Sequence, residues 1–135
     1  MSDEVRKIRF KKENPRNLII STASNSAEIF DFSLINEAMT QRFSLKGVKN
    51  LTEITDFSFS ENRSRDWASL MTIHKKTNFP YLWNMEDKSL TKVSLEMNFE
   101  NSSKITSGKV TNCGNFALIG FSNGQVIKFN MQSGK

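Results

Sequence analysis

Short apolar runs separated by polar turn segments recur along the whole chain. The clearest case lies near the end, where residues 116–121 and 126–129 form two apolar runs around Asn123 and Gly124. Asn-Gly is a strong hairpin signal, because both central residues of a type I′ turn need positive φ. A turn around Gly114 precedes the first run. The pattern predicts two antiparallel strands joined by a tight turn.

The same order of strands and turns appears twice more upstream. In each unit an aromatic residue followed by Asp or Asn closes a strand. Successive dipeptides of this kind are roughly 50 residues apart, close to the ~40–50-residue repeat of β-propeller blades. These dipeptides are Phe30-Asp31, Trp83-Asn84 and Phe129-Asn130. We therefore expect three copies of one structural unit.

In the first unit, Ile8 and Phe10 alternate with Lys7, Arg9 and Lys11, which is typical of a strand with one solvated face. Further predicted strands of this unit cover residues 18–20, 27–32 and 39–45. Residues 34–39 are alternatively helical, although the stretch is short for an independent helix.

The second and third units continue the pattern. In the second, Phe57 and Phe59 share one face of a predicted strand. The predicted strands of the second unit cover residues 54–59, 70–73, 81–84 and 91–95, with a loop at 62–66. The third unit starts near Ile105 and has no outer strand. The sequence contains no long amphipathic helical period.

The predicted fold class is all-β: a partial WD-repeat β-propeller of about three four-stranded antiparallel blades, the last incomplete. The expected blades span residues 5–45, 53–97 and 104–135. Propellers generally close with about 4–8 blades, so three blades leave apolar faces and an edge after Asn130 unpaired. We expect the isolated chain to self-associate for this reason.

Composition adds a basic charge to this picture. The chain has 135 residues, a net charge of +5 and a single cysteine. The positive excess favours an acidic partner such as nucleic acid, although a mildly basic surface also serves solubility alone. One cysteine excludes a disulfide framework and suits a reducing compartment. No apolar run approaches the roughly 20 residues of a membrane helix, so we expect a soluble intracellular protein.

The residues that could perform catalysis do not form a convincing set. His74 and Cys113 are the only candidate base and nucleophile, and the predicted blades place them apart, on an inner strand and in an edge turn. No carboxylate cluster has metal-ligand spacing, and no glycine loop is suited to cradle phosphates. The sequence therefore predicts a non-enzyme with no cofactor and no metal.

Two groups of residues are candidates for binding nucleic acid. Lys7, Arg9, Lys11 and Lys12 lie in the densest basic segment and are candidate phosphate contacts, the alternative being a solvated outer edge. Three aromatic residues are candidate stacking platforms beside Lys75 and Lys76, although packing between blades is the favoured interpretation. They are Trp67, Tyr81 and Trp83.

Several of these segments resemble the family of U3 small nucleolar RNA-associated protein 21, also called WD-repeat protein 36. The resemblance is most specific at residues 112–124 and 129–134, which contain Cys-Gly-Asn-Phe-Ala and Asn-Met-Gln-Ser-Gly. Upstream it rests on residues 54–57, Asp66-Trp67, His74 and Trp83-Asn84. The first unit aligns more loosely, through residues 8–10 and 18–32.

The resemblance implies an interior fragment of a large protein with tandem propellers and a helical C-terminal domain. Family members belong to the UTP-B part of the small-subunit processome, which assembles with U3 small nucleolar RNA on nascent pre-ribosomal RNA. It implies a nucleolar scaffold whose partners are other UTP-B propeller proteins and, directly or indirectly, that RNA, with no membrane and no small-molecule substrate.

Two departures and two alternatives accompany this resemblance. The chain lacks Gly-His and Trp-Asp dipeptides, so the hydrogen-bonded tetrad of ordinary WD blades is not expected. One alternative is a WD-repeat adaptor or substrate receptor outside ribosome biogenesis. The other is a self-contained basic RNA-binding β-domain, against which the absence of a clustered aromatic-basic motif argues.

Overall fold

The computed structural model describes residues 5–11, 17–22, 28–35, 37–44, 51–86, 89–90 and 103–135. These residues form eleven strands and one short 3₁₀ helix, Glu61–Arg63. The strands are β1 (Val5–Phe10), β2 (Asn17–Thr22), β3 (Glu28–Ser33), β4 (Ala38–Ser44), β5 (Ile54–Phe59), β6 (Leu70–His74), β7 (Tyr81–Asn84), β8 (Ser89–Leu90), β9 (Ile105–Val110), β10 (Phe116–Phe121) and β11 (Val126–Asn130).

The strands form three antiparallel sheets, each following chain order. The sheets are β1-β2-β3-β4, β5-β6-β7-β8 and, among the described residues, the three-stranded β9-β10-β11. The predicted all-β class, with an incomplete last blade, is confirmed. The predicted blade boundaries stay predictions, and the predicted outer strand at residues 91–95 lies outside the described part of the chain.

Two local expectations need correction. The helical alternative for residues 34–39 is wrong, because Leu34 and Ile35 lie in a turn and β4 starts at Ala38. The predicted loop at residues 62–66 is preceded and partly formed by the 3₁₀ helix. Both segments are too short for a stable α-helix, because the conformational entropy lost in forming the first helical turn is recovered only over several further residues.

A β-bulge at the same position marks the three first strands as copies of one unit. In β1, β5 and β9 the second residue is skipped in the pairing with the next strand. The skipped residues are Arg6, Thr55 and Thr106. Because a bulge redirects the side chains that follow it, the repeated bulge gives the side chains of β1, β5 and β9 the same orientation relative to their sheets.

The register also shows which aromatic residues are equivalent. In each sheet the last residue of the first strand pairs with a residue of the second strand. That residue in turn pairs with an aromatic residue of the third strand. The linked sets are Phe10, Leu18 and Phe32; Phe59, Leu70 and Trp83; and Val110, Ala117 and Phe129.

This register places Phe32-Ser33, and not Phe30-Asp31, at the position of Trp83-Asn84. Phe30 instead pairs with Ile20, which lies two residues beyond Leu18 in β2. A hydrophobic pattern with a period of two cannot distinguish residues that are two apart in a strand. The sequence therefore identified the correct strand but the wrong pair within it.

The second and third sheets are joined along the edges of β5 and β9 by a ladder of hydrogen bonds. Side chains at every second residue of β5 and the following loop bond the backbone at every second residue of β9 and its loop. The pairs are Gly108 N to Asp56 Oδ2 at 3.3 Å, Val110 N to Ser58 Oγ at 2.8 Å, and Ser60 Oγ to Asn112 O at 2.8 Å. These bonds satisfy two edge amides and one carbonyl that a lone sheet would leave to water.

Asp56 extends this ladder to the first sheet. Its Oδ1 accepts a hydrogen bond from Arg9 Nη2 at 3.2 Å and from the Phe57 amide at 2.9 Å. Asp56 is only 8% exposed, and its other oxygen faces Gly108. One carboxylate thus contacts all three sheets.

Apolar packing fills the spaces between the sheets. Between the second and third sheets, the terminal atoms of Met71 and Ile73 would lie 2.6 and 2.8 Å from a Cβ at Gly108, so glycine allows this close approach. A second cluster lies between the first and second sheets. It contains Ile29, Ile54, Phe57, Leu70 and Trp83.

The orientation of β1 is the reverse of the one expected. Lys7 and Arg9 are half-buried on the side of β5, whereas Ile8 and Phe10 are 50% and 64% exposed. The basic face of β1 turns toward β5 because Arg9 bonds the Asp56 carboxylate there. The opposite, apolar face of β1 has no sheet packed on it among the described residues. Self-association through this exposed apolar face stays a prediction.

We predict that Asp56→Asn lowers the free energy of unfolding by about 2–3 kcal/mol, below the usual cost of breaking a buried ion pair because Arg9 is half-exposed. The substitution removes the charge that Arg9 and the Gly108 amide face. Urea unfolding of the 135-residue chain measures the effect. Asp66→Asn is the matched control, since the Arg63–Asp66 pair at 3.4 Å is exposed and is worth under about 1 kcal/mol. Equal losses in both variants would contradict the account.

Candidate nucleic-acid interface

The structure does not gather the predicted phosphate contacts on one open surface. Arg9 is held by Asp56, and its guanidinium lies 5.9 Å from the centre of the Phe57 ring. Lys11 is half-buried just after β1, while Lys7 borders a cleft at the other end of that strand. Lys12 lies outside the described residues.

The register explains this separation. Counted back from the end of their strands, Lys7 and Arg9 occupy the positions that Asp56 and Ser58 occupy in β5. In β5 these positions form the ladder to the next sheet. The basic alternation of β1 therefore belongs to a contact between sheets, and Arg9 has a structural role there.

The cleft beside Lys7 is a basic concave surface. It has a volume of about 380 Å³ and lies where β1 and β5 begin. Its lining residues are Arg6, Lys7, Glu53, Ile54, Thr55 and Lys75. Glu53 bridges two of the cations, with its oxygens 3.1 Å from Lys75 Nζ and 4.0 Å from Arg6 Nη2. Three cations and one carboxylate leave this cleft positively charged.

A buried hydrogen-bonded relay lies below the cleft, in the second sheet. Trp83 Nε1 donates to Thr72 Oγ1 at 2.7 Å, and Thr72 Oγ1 lies 2.8 Å from His74 Nε2. His74 Nδ1 lies 2.7 Å from the Thr52 carbonyl oxygen. Because that carbonyl can only accept, Nδ1 carries the hydrogen and Nε2 accepts from Thr72.

This relay is an internal hydrogen-bonded set of three side chains and one backbone carbonyl, whereas the expectation concerned only the tetrad of ordinary WD blades. Histidine is supplied by β6 itself and not by a Gly-His dipeptide, which is why motif matching missed it. The available signal was the presence of Thr72 and His74 at alternate positions in an otherwise apolar strand. In the third sheet the equivalent positions are apolar: Ile119, Phe121 and Phe129.

His74 and Cys113 are not brought together. Both ring nitrogens of His74 are occupied by Thr72 and Thr52, and Cys113 is exposed in the turn after β9. A hydrogen bond with the Thr111 hydroxyl lowers the pKa of the Cys113 thiol, but no base adjoins it among the described residues. The described residues also contain no group of three or more His, Cys, Asp or Glu side chains able to hold a metal ion.

The Asn residues of the second and third marker pairs end their strands by capping turns. Asn84 Oδ1 accepts from the Glu86 amide at 2.9 Å, and Asn130 Oδ1 accepts from the Gln132 and Ser133 amides at 2.9 and 3.1 Å. Such bonds favour Asp or Asn at the first position of a turn. The aromatic residue before each is buried, so the dipeptides combine packing with strand termination.

The glycine markers lie in turns as expected, with one difference in turn type. Gly114 has φ of 75° and accepts a hydrogen bond from Trp67 Nε1 at its carbonyl. In the hairpin after β10 only Gly124 has positive φ, 87°, while Asn123 does not. The Gly124 amide bonds Phe121 O at 3.0 Å, so the turn centres on Ser122 and Asn123 and glycine follows it. The predicted type I′ turn is therefore wrong, and the loop matches the three-residue hairpin class.

The three sheets define the chain as part of a β-propeller. The crystal structure of the β-propeller domain of Cps50 (Swd1) from Myceliophteria thermophila matches 97% of this chain and 35% of that domain's chain, with a TM-score of 0.65. Their sequences are only 13% identical, so the likeness concerns the fold. No helix in the described residues has the length and apolarity needed to cross a bilayer.

The sequence is related to the U3 small nucleolar RNA-associated protein 21 family. It is 36% identical to the Schizosaccharomyces pombe homolog of that protein over 111 residues, and 30% identical to human WD repeat-containing protein 36 over 144 residues. These matches cover 82% and 94% of this chain but only 12% and 16% of the relatives. The Saccharomyces cerevisiae protein is 28% identical over 84% of the chain and 13% of its own length. No protein-family model matches the sequence.

We predict that stability falls below about pH 6.5 because of His74. Burial lowers the pKa of His74 below its ordinary value, partly opposed by the hydrogen bond to the Thr52 carbonyl. Between the lowered pKa and the ordinary value of 6.5, the unfolded chain binds more protons than the folded one, so stability present above that value is lost as pH falls. His74 is the single histidine, so the effect is attributable to it.

Urea unfolding measured from about pH 8 down to about pH 5.5, above the usual range of carboxyl titration, tests this expectation. His74→Gln removes the titrating group and is expected to flatten the profile over this range. A wild-type profile that is already flat, or a slope that persists in His74→Gln, would contradict it.

Proposed function

We propose that this chain forms a non-catalytic part of a WD-repeat scaffold that acts in ribosome biogenesis, within the U3-containing small-subunit processome of the nucleolus. The observation that carries the proposal is the sequence relation to U3 small nucleolar RNA-associated proteins, 36% identity over 82% of the chain. The finer assignment to the UTP-B subcomplex follows from the family resemblance.

The geometry supports a scaffold better than an enzyme. The two ionisable groups suited to catalysis, His74 and Cys113, have separate surroundings. Asp56 and Ser58 of β5 bond the backbone of the neighbouring sheet. Sheets fixed to each other in this way hold the loops at their two ends at constant spacing. Rigid scaffolds of this kind carry their binding residues on loops and strand ends.

The proposed partners are other propeller proteins of the same subcomplex and the RNA that it assembles on. Protein contacts are expected at the exposed apolar residues at the two ends of the chain, including Phe10 and Val126, which are 64% and 70% exposed. Phosphate contacts are expected at the basic cleft between β1 and β5, where the positive charges exceed the negative ones.

Affinity purification of the endogenous protein, tagged at its own locus, tests this proposal. We expect U3 small nucleolar RNA and pre-ribosomal RNA to be enriched in the purified fraction, and the tagged protein to localise to the nucleolus. An unrelated tagged WD-repeat protein is the control. Absence of both U3 RNA and nucleolar signal would contradict the proposal and favour an adaptor outside ribosome biogenesis.

A further inference from the structure

The loop between β6 and β7 exposes an aromatic ring that contacts a half-buried tyrosine. Phe79 is 44% exposed and contacts Tyr81 edge to face, with ring centres 5.1 Å apart. Tyr81 is half-buried and lies 6.1 Å from the buried Trp83 ring and 5.3 Å from His74. The exposed ring is therefore supported from below, so that a flat partner stacking on it meets a fixed surface.

The same loop carries two lysines at its tip. The amide and hydroxyl of Thr77 bond the His74 carbonyl at 3.2 and 2.8 Å, which closes a turn with Lys75 and Lys76 at its centre. Thr52 Oγ1 bonds the Lys75 carbonyl at 2.7 Å and fixes the turn to the chain before β5. Lys76 has φ of 63° and is exposed, and its side chain has no ion pair or hydrogen bond with the described residues.

One lysine of this loop lines the basic cleft between β1 and β5. Lys75 lines the cleft together with Arg6 and Lys7, and Glu53 is the single carboxylate in the lining. Three cations and one carboxylate thus line the cleft, and Lys76 and the exposed Phe79 ring lie further along the loop that carries Lys75. We call Arg6, Lys7, Lys75, Lys76 and Phe79 the loop-end site.

We propose that the loop-end site binds single-stranded RNA, with one base stacked on Phe79 and the neighbouring phosphates held by Lys75, Lys76 and Lys7. Exposed aromatic rings beside cations are the usual means of holding unpaired bases. A cleft of about 380 Å³ accommodates a nucleotide-sized group. This inference rests on the proposed function and assigns its RNA contact to specific residues.

Single strands suit this arrangement better than the alternatives. A duplex keeps its bases stacked on one another and offers no free face to Phe79. A run of acidic side chains would satisfy the cations but carries no flat ring to stack on Phe79. An unpaired nucleotide uses both features, since its base stacks on the ring and its phosphate meets the lysines.

Fluorescence anisotropy with a labelled oligouridylate of about 12 nucleotides, within the usual site sizes, tests the inference on the 135-residue chain. We expect Phe79→Ala to weaken binding about 30-fold, the middle of the range for one stacked base. Lys75→Gln with Lys76→Gln is expected to reduce the slope of log affinity against log salt by about 1.4, or about 0.7 per lost phosphate contact.

Two matched variants control for nonspecific effects. Phe116→Ala removes a ring on β10 whose centre lies 4.0 Å from Lys128 Nζ, outside the proposed site. Lys128→Gln with Lys135→Gln removes two exposed lysines of the third sheet and its end. Both are expected to leave affinity within about twofold of wild type, and circular dichroism confirms that every variant is folded.

Three outcomes would overturn the inference: equal losses in the site and control variants, equal binding of the same oligonucleotide as a duplex, or competition by polyglutamate that is insensitive to Phe79→Ala. Its failure is distinguishable from failure of the proposed function. If U3 RNA copurifies with the endogenous protein while Phe79→Ala leaves RNA binding unchanged, only the loop-end site is wrong. If no U3 RNA copurifies but the variants behave as expected, the site stands and the biological assignment is wrong.

Discussion

The carboxylate of Asp56 is the interaction on which the arrangement of the three sheets depends. A first strand at the edge of a sheet has alternate amides with no partner in its own sheet. Asp56 accepts hydrogen bonds from the Phe57 amide in β5, from the Gly108 amide in β9 and from the guanidinium of Arg9 in β1. Ser58 and Ser60 repeat the contact to the third sheet. Polar groups therefore join the sheets in a fixed orientation, and apolar side chains fill the space between them.

The proposed binding surface depends on that connection. Arg6 and Lys7 are carried by the first sheet, whereas Lys75, Lys76 and Phe79 are carried by the second. The cleft exists only while β1 and β5 keep their relative position, which Arg9 and Asp56 set. The relay of Trp83, Thr72 and His74 stiffens the second sheet directly beneath the loop. The residues that fix the sheets are thus neighbours of the loop-end site but are not part of it.

Strand order, sheet class and hairpin positions could be predicted from the sequence, because they follow from hydrophobic period and turn residues. The face of β1 could not be, since the alternation of Ile8 and Phe10 with Lys7 and Arg9 fits either orientation until Asp56 is placed opposite Arg9. The repeat position of Phe32 was missed because Phe30 has the same parity. Phe79 lies in a loop without any periodic signal, so neither its exposure nor its contact with Tyr81 follows from the pattern.

Hydrogen exchange of individual amides in β9 tests the central claim most directly. In an isolated sheet the outward-facing amides of Gly108 and Val110 would exchange with solvent as fast as other edge amides. Because they donate to Asp56 and Ser58, we predict strong protection in the wild type, with selective loss at Gly108 in Asp56→Asn and at Val110 in Ser58→Ala. Rapid exchange of both amides in the wild-type chain would show that the sheets are not joined through β5, and would contradict the account.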